Sequence, residues 1–248
     1  MEKTIISTKQ LILSILLYGG NTIIFIYYLY SLIFNMRLLQ YLTCLSYYAN
    51  SIFLLLCLIC DISLYINNSS LGSETDYKLI EEEGENKSNN ENLSWAQQLN
   101  NWNRNKYGVI CNTFSFFVSI SFLILYFLGE EYIRVSNTFF GFLSSINLHL
   151  IISLLVIVDI LVSKREHKFS DDYYSYISFI FLGYCIITGI DKYMFNINPY
   201  AFMNGNLWFL ILYVFLSFVL LYVCYVFNAY LINCRKEDDD EVILVIEK

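Results

Sequence analysis

Proline, charge and histidine are all scarce in this chain. Of its 248 residues one is proline, two are histidine and 15% are charged, whereas soluble domains average about 25% charged residues. Because 57% of the residues are hydrophobic, too few polar side chains remain to cover a soluble core. The composition therefore predicts a polytopic membrane protein.

Patterns that bind metals or cofactors are also missing. Seven cysteines are present, but six of them fall within apolar segments and they form no disulfide framework. Cys57 and Cys60 make a C-x-x-C without a second pair, inside an apolar segment, which favours packing over zinc or redox chemistry. We therefore expect no metal, no cofactor and no nucleic-acid partner.

Long apolar runs dominate the rest of the sequence. A hydrocarbon core about 30 Å thick requires roughly 20 apolar residues in a helix. Six segments meet this requirement and predict an all-α bundle of about six transmembrane helices. Their approximate limits are Leu11–Phe34, Leu39–Ile66, Tyr107–Leu128, Asn137–Val162, Tyr173–Phe195 and Leu207–Ile232.

The basic residues predict the orientation of these spans. With a cytosolic N-terminus, 12 lysines and arginines lie on the cytosolic side and only 3 on the other, namely Arg37, Arg134 and Lys192. Cytosolic loops carry the excess of basic residues. We therefore expect both termini in the cytosol and a location in the endoplasmic reticulum or the plasma membrane.

Two polar segments interrupt or follow the membrane domain, which we assign to residues 1–235. Residues 67–105 are rich in Asn, Glu and Ser and show no periodicity, which predicts a flexible cytosolic loop. Residues 236–248 form an acidic cytosolic tail. The loop contains four glycosylation sequons, which a cytosolic location would leave unmodified; they begin at Asn67, Asn68, Asn86 and Asn92.

His149 is the most unusual side chain of the fourth segment, because an ionisable group at this depth is costly and by default functional. A stripe with a spacing of four residues places it on one helix face; the stripe consists of Gly141, Ser145, His149 and Ser153. The alternative is a helix–helix seam in which His149 only packs and forms hydrogen bonds.

The second segment carries a polar line of its own. Thr43, Asn50 and Cys57 recur every seven residues, with Ser46 and Asp61 on neighbouring positions. Small polar residues at this spacing are typical of helix packing in membranes. Taken alone, Thr43 is therefore most simply a packing residue.

Several local strings resemble the androgen-induced-gene/ADTRP family of multipass membrane threonine hydrolases. The strings lie at residues 41–45, 57–61, 147–149, 164–167, 183–184 and 198–200. The similarity extends over roughly residues 11–232. The chain departs from the family at Asp191–Tyr193, where a His-rich stretch is usual.

The resemblance implies a lipid ester hydrolase. In that family a Thr and a His, which match Thr43 and His149, cleave fatty acid esters of hydroxy fatty acids. Burial would keep His149 neutral and able to take the threonine proton. The lipid substrate would enter from the bilayer. Candidates for polar support are Asn50, Asp61, Asn147, Asp159 and Asp191.

Two alternatives to the hydrolase remain open. One is a small transporter or channel with His149 on a proton or ion path, and the other is a non-catalytic membrane scaffold. The hydrolase also faces a geometric difficulty. From the segment limits Thr43 lies roughly 6 Å deep and His149 roughly 18 Å, so the two meet only if the fourth helix begins later or the helices tilt. The oligomeric state does not follow from the sequence.

Overall fold

The protein is an all-α polytopic membrane bundle, as the composition predicted. A computed structural model describes residues 6–34, 41–75, 95–128, 145–162, 171–195 and 207–246, and every regular element there is helical. Five of these helices are long and apolar enough to cross a membrane, and a shorter apolar helix covers Asn147–Val162. Many large apolar side chains on their outer faces are exposed, as lipid contact requires.

In the described residues the bundle comprises five long helices and the shorter helix Asn147–Val162, which we number in chain order as spans one to six, and three of these spans contain a π-helical turn. The first span joins α1 (Thr8–Ser14), a π-helical turn at Ile15–Gly19 and α2 (Gly20–Phe34), and the second is α3 (Leu42–Thr75). The third joins α4 (Trp95–Trp102), a π-helical turn at Asn103–Tyr107 and α5 (Gly108–Leu128). The fourth joins a π-helical turn at Asn147–Ile151 and α6 (Ile152–Val162), and the last two are α7 (Asp171–Phe195) and α8 (Leu207–Ile246).

The helices extend further than the apolar segments predicted. The assignment of residues 67–105 to a flexible loop is wrong at both ends, because α3 continues to Thr75 and the third span begins at Trp95 rather than Tyr107. Polar residues hid these helical turns from a search for apolar runs. The tail 236–248 likewise continues α8 as far as Ile246. Residues 76–94 and 129–144, which include the start of the predicted fourth segment, lie outside the described residues.

The third span is the centre of the bundle. It is the most buried of the five long helices, with 67% of its most apolar stretch inside the protein. Gly108 allows the second span to approach closely, since a Cβ there would lie 2.7 Å from the Phe53 ring. Asparagine side chains join it to its neighbours: Asn50 donates to the Cys111 carbonyl at 3.0 Å and Asn228 to the Val109 carbonyl at 3.1 Å.

Contacts between the spans establish their directions. The third span runs antiparallel to the second, because Asn50 meets Cys111 while Asn103 meets Phe53. It also runs antiparallel to the fourth, because Ser115 meets Ser153 while Ser119 meets the His149 carbonyl one turn earlier. The second and fourth spans are therefore parallel to one another.

Candidate functional site

The π-helical turn of the fourth span, at Asn147–Ile151, packs against α3, the second span. There the Tyr47 hydroxyl approaches the side chains of Asn147 and Ser51. The geometry is not that of a regular hydrogen bond, so the Tyr47 hydroxyl and the Asn147 amide nitrogen both remain buried without a partner. Two unused donors therefore lie where the helix that carries Thr43 faces the turn that carries His149.

His149 lies on the seam between the fourth and third spans. Its ring stacks on Phe122, with ring centroids 4.0 Å apart, and its backbone carbonyl accepts a hydrogen bond from Ser119. Its Nδ1 atom is buried and has no hydrogen-bond partner. The imidazole is therefore held by ring stacking and by its backbone, and not by a hydrogen bond at Nδ1.

The polar stripe around His149 is nevertheless also a packing seam. Ser153, one turn later, lies 2.6 Å from the hydroxyls of both Ser115 and Ser119. Hydroxyls that bond across a helix interface are a normal means of association in membranes. The part of the stripe that the structure describes thus joins the fourth span to the third while it holds His149 between them.

Thr43 lies at the start of α3 and is half-buried. The neighbouring Leu42 amide donates to the Tyr184 hydroxyl of the fifth span at 3.1 Å. Thr43 precedes Tyr47 by one turn, and His149 follows Asn147 by two residues. These two intervals add up to a distance of no more than about 9 Å between Thr43 and His149 along the helix axes. The distance is shorter than this limit because the side chain of a helical tyrosine leans towards the N-terminus of its helix.

The residues that were predicted to support His149 do not lie together in the structure. Asn147 lies beside Tyr47, as described above. Asn50 uses its amide hydrogens on the carbonyls of Ser46 and Cys111, so it donates nothing to His149. Asp159 follows His149 by ten residues, about 15 Å along the helix, and is too distant to orient its ring. Asp191 is half-buried on the fifth span.

Asp61 and Asp159 belong instead to a second buried polar group, which we call the ion cluster. It gathers side chains from four spans, namely Ser14, Tyr18, Asp61, Arg104 and Asp159. One guanidinium nitrogen of Arg104 lies 3.0 Å from Asp61 and 3.6 Å from Asp159. Ser14 donates to Asp61 at 2.7 Å, and Tyr18 donates to Asp159 at 2.5 Å.

The ion cluster is sealed from its surroundings. Arg104 is 6% exposed, Asp61 2% and Asp159 0%. The same helices form an apolar cluster nearby in sequence, which consists of Ile6, Leu64 and Ala96. Asp61 and Asp159 are therefore buried inside the protein, where both carboxylates contact Arg104.

Sequence reasoning missed Arg104 because the residue lies in a segment that was assigned to a loop. Only the structure shows that Ala96, Asn100, Asn103 and Arg104, which recur at helical spacing, are all buried. Because three of these four residues are polar, their spacing gave no apolar pattern that could have predicted the buried helix face.

Two of the three π-helical turns present residues to the ion cluster. Tyr18 lies in the turn at Ile15–Gly19 and Arg104 in the turn at Asn103–Tyr107, while His149 lies in the third. Such turns insert an extra residue into a helix and are frequent at functional sites.

No family model, curated protein or solved structure matches the chain. The function is therefore inferred from these two polar sites.

Proposed function

We propose that the protein is an intramembrane lipid ester hydrolase of the androgen-induced-gene/ADTRP type, with Thr43 as nucleophile and His149 as base. The observation that supports this most is the contact of α3 with the π-helical turn at Asn147–Ile151. It brings the two helices together near Tyr47 and Asn147, within two turns of both proposed catalytic residues.

In the proposed mechanism, His149 takes the Thr43 proton as the hydroxyl oxygen attacks the ester carbonyl. The tetrahedral intermediate then collapses, and His149 returns the proton to the leaving alkoxide. Water, activated by the same imidazole, hydrolyses the acyl-threonine and releases a fatty acid. Nucleophile and base need hydrogen-bond distance only in the reactive complex, so the substrate must draw the two helices closer.

Tyr47 and Asn147 are suited to stabilise the negative charge of the intermediate. Both carry a buried donor without a partner, and both lie between Thr43 and His149. A hydroxyl and an amide that point to a developing oxyanion are typical of acyl-transfer sites. We assign them to the oxyanion hole of this reaction.

The substrate class follows from the surroundings. The proposed site lies among apolar helices, so an ester with long acyl chains can reach it sideways from the bilayer. Fatty acid esters of hydroxy fatty acids fit this description. The distribution of basic residues predicts that both termini lie in the cytosol. We expect the protein in the membrane of the endoplasmic reticulum or in the plasma membrane.

The test compares purified variants in nanodiscs with a fluorogenic long-chain acyl ester. Thr43→Val keeps the shape of the side chain but removes its oxygen, so kcat should fall at least about a thousandfold. Thr43→Ser retains the oxygen and should keep part of the activity. His149→Ala should cost about as much as Thr43→Val, because the two residues act as a unit.

Thr188→Val is the matched control. Thr188 is also a buried threonine of a span, and its hydroxyl bonds to the Tyr184 carbonyl of its own helix at 2.8 Å. This variant should keep wild-type kcat. Wild-type ester cleavage by a correctly inserted Thr43→Val protein would rule out the nucleophile assignment.

The transporter alternative is supported by the buried charges of the ion cluster, because intramembrane ionisable groups also mark ion pathways. A transporter would move an ion across proteoliposomes and would not form a covalent acyl adduct on Thr43. Mass spectrometry of the protein after mixing with substrate separates the two functions. A scaffold would show neither behaviour and would tolerate both Thr43→Val and His149→Ala.

A further inference from the structure

The serines beside His149 form a hydrogen-bonded chain that has a direction. Each serine hydroxyl carries one hydrogen, and Ser119 donates its hydrogen to the backbone carbonyl of His149. The 2.6 Å contact between Ser119 and Ser153 therefore requires the Ser153 hydrogen, and the 2.6 Å contact between Ser153 and Ser115 requires the Ser115 hydrogen. The Ser115 carbonyl, 3.0 Å from the Ser153 oxygen, is the more distant acceptor for Ser153. Three hydroxyls thus donate in sequence, and the chain ends on His149.

The carbonyl at the end of this chain belongs to the π-helical turn at Asn147–Ile151. Such a turn interrupts the regular hydrogen-bond pattern of an α-helix, so a contact from a neighbouring helix helps to set its orientation. Ser119 supplies that contact, because it bonds to the backbone of His149 itself. Phe122, one turn after Ser119 on the same span, lies against the imidazole with an angle of 17° between the ring planes. The third span therefore holds both the backbone and the ring plane of His149.

The imidazole lacks the support that a catalytic histidine normally has. That support is a group that bonds to its second nitrogen and fixes the direction of the ring. Within the described residues, the buried Nδ1 atom of His149 has no hydrogen-bond partner. We propose that Ser119 and Phe122 are positioning residues, which orient the His149 imidazole in place of such a group. The inference rests on the proposed function, in which His149 is the base.

The first experiment follows the ring of His149 directly by NMR of the full-length protein in nanodiscs, with isotope-labelled histidine. The chain has two histidines, so His167→Gln leaves His149 as the only signal. Ring protons above the face of Phe122 should resonate upfield of those in free histidine, and Phe122→Leu should abolish this shift. Ser119→Ala should reduce the shift, because the turn can then rotate away from Phe122. Ser119→Thr keeps the hydroxyl and should keep the shift.

The second experiment measures kcat and KM of the same variants with the fluorogenic long-chain acyl ester. A misdirected base slows the chemical step but leaves substrate binding intact. Ser119→Ala should therefore lower kcat by about 10- to 100-fold, with little change in KM. Ser115→Ala should cost less, because Ser153 can still donate to Ser119. Ser153→Ala, which breaks the chain one link earlier, replaces Ser119→Ala if that protein does not insert.

Ser178→Ala is the matched control. The Ser178 hydroxyl lies on the fifth span and has no hydrogen-bond partner, so its removal should change neither the His149 signal nor kcat. An unchanged His149 signal in Ser119→Ala overturns the proposal, and so does wild-type kcat in that variant when the wild type cleaves the ester. A wild type that cleaves no ester but shows the expected change of signal refutes the hydrolase and supports the orienting role of Ser119.

Discussion

Arg104 is the residue that holds four spans together. Its guanidinium contacts one carboxylate of the second span and one of the fourth, and each carboxylate accepts a hydroxyl of the first span. A guanidinium suits this position because it stays charged when buried and offers several donors at fixed angles. Removal of the guanidinium should therefore weaken the contacts among all four spans.

Arg104→Gln should strongly destabilise the protein. The substitution removes the guanidinium that both Asp61 and Asp159 contact, and breaking a buried pair in this way costs about 3–5 kcal/mol. Thermal unfolding in nanodiscs at neutral pH measures the loss. Arg104→Lys, which keeps the charge but not the planar geometry, should recover only part of it. A Tm for Arg104→Gln equal to that of the wild type would show that the ion cluster does not stabilise the bundle.

The sequence allowed only part of the candidate sites to be predicted. His149 and Asn147 could be selected because polar residues are rare in the apolar segments, whereas Thr43 was selected only through the family resemblance. Tyr47 could not, since 22 tyrosines are present and only the packing of the second span on the fourth distinguishes this one. The contact of Asp61 and Asp159 with the same guanidinium was equally hidden, because Arg104 lies in a third helix.

At the scale of helices, Gly108 determines how closely the second and third spans pack. It follows the π-helical turn at Asn103–Tyr107, and Phe53 occupies the space where a side chain would lie. The glycine is needed for this close approach, because small residues allow helix backbones to come together in membranes.

Gly108→Ala should destabilise the bundle by about 1–3 kcal/mol, because the added methyl group would overpack a close contact between helices. Gly183→Ala is the matched control, since nothing lies within 4 Å of a Cβ at that position. It should leave Tm unchanged or slightly higher. The comparison is made by thermal unfolding of both variants, and equal Tm values for the two would contradict the role assigned to Gly108.

Hydropathy predicted the positions of the spans well but not their ends. Apolar runs depend on composition, so they located the apolar part of each helix. The polar turns at 67–75 and 95–106 escaped, because their helical conformation depends on contacts such as the hydrogen bond from Asn103 to the Phe53 carbonyl. The π-helical turns also escaped, since one extra residue leaves the composition unchanged.

At the scale of the whole molecule, the sidedness of the bundle remains a prediction from its basic residues. The sequons at Asn86 and Asn92 should stay unmodified when the protein is made with microsomes, because glycosylation occurs in the lumen. A gel-shift assay with and without glycosidase detects the modification. A sequon introduced beside Arg134, on the opposite side, is the control that should be modified. Glycosylation of the native sequons would reverse the assignment of sides.

The long helices give the molecule an uneven outline. In α8 the apolar segment Leu210–Cys234 is followed by helix as far as Ile246, which adds roughly 18 Å beyond the membrane. If the spans alternate in direction as the predicted topology requires, α3 ends on the same side as α8, and the third span starts there. In single-particle images these helical extensions beyond the apolar segments would act as a fiducial. They would let individual nanodiscs be aligned and their two faces told apart without an added antibody fragment.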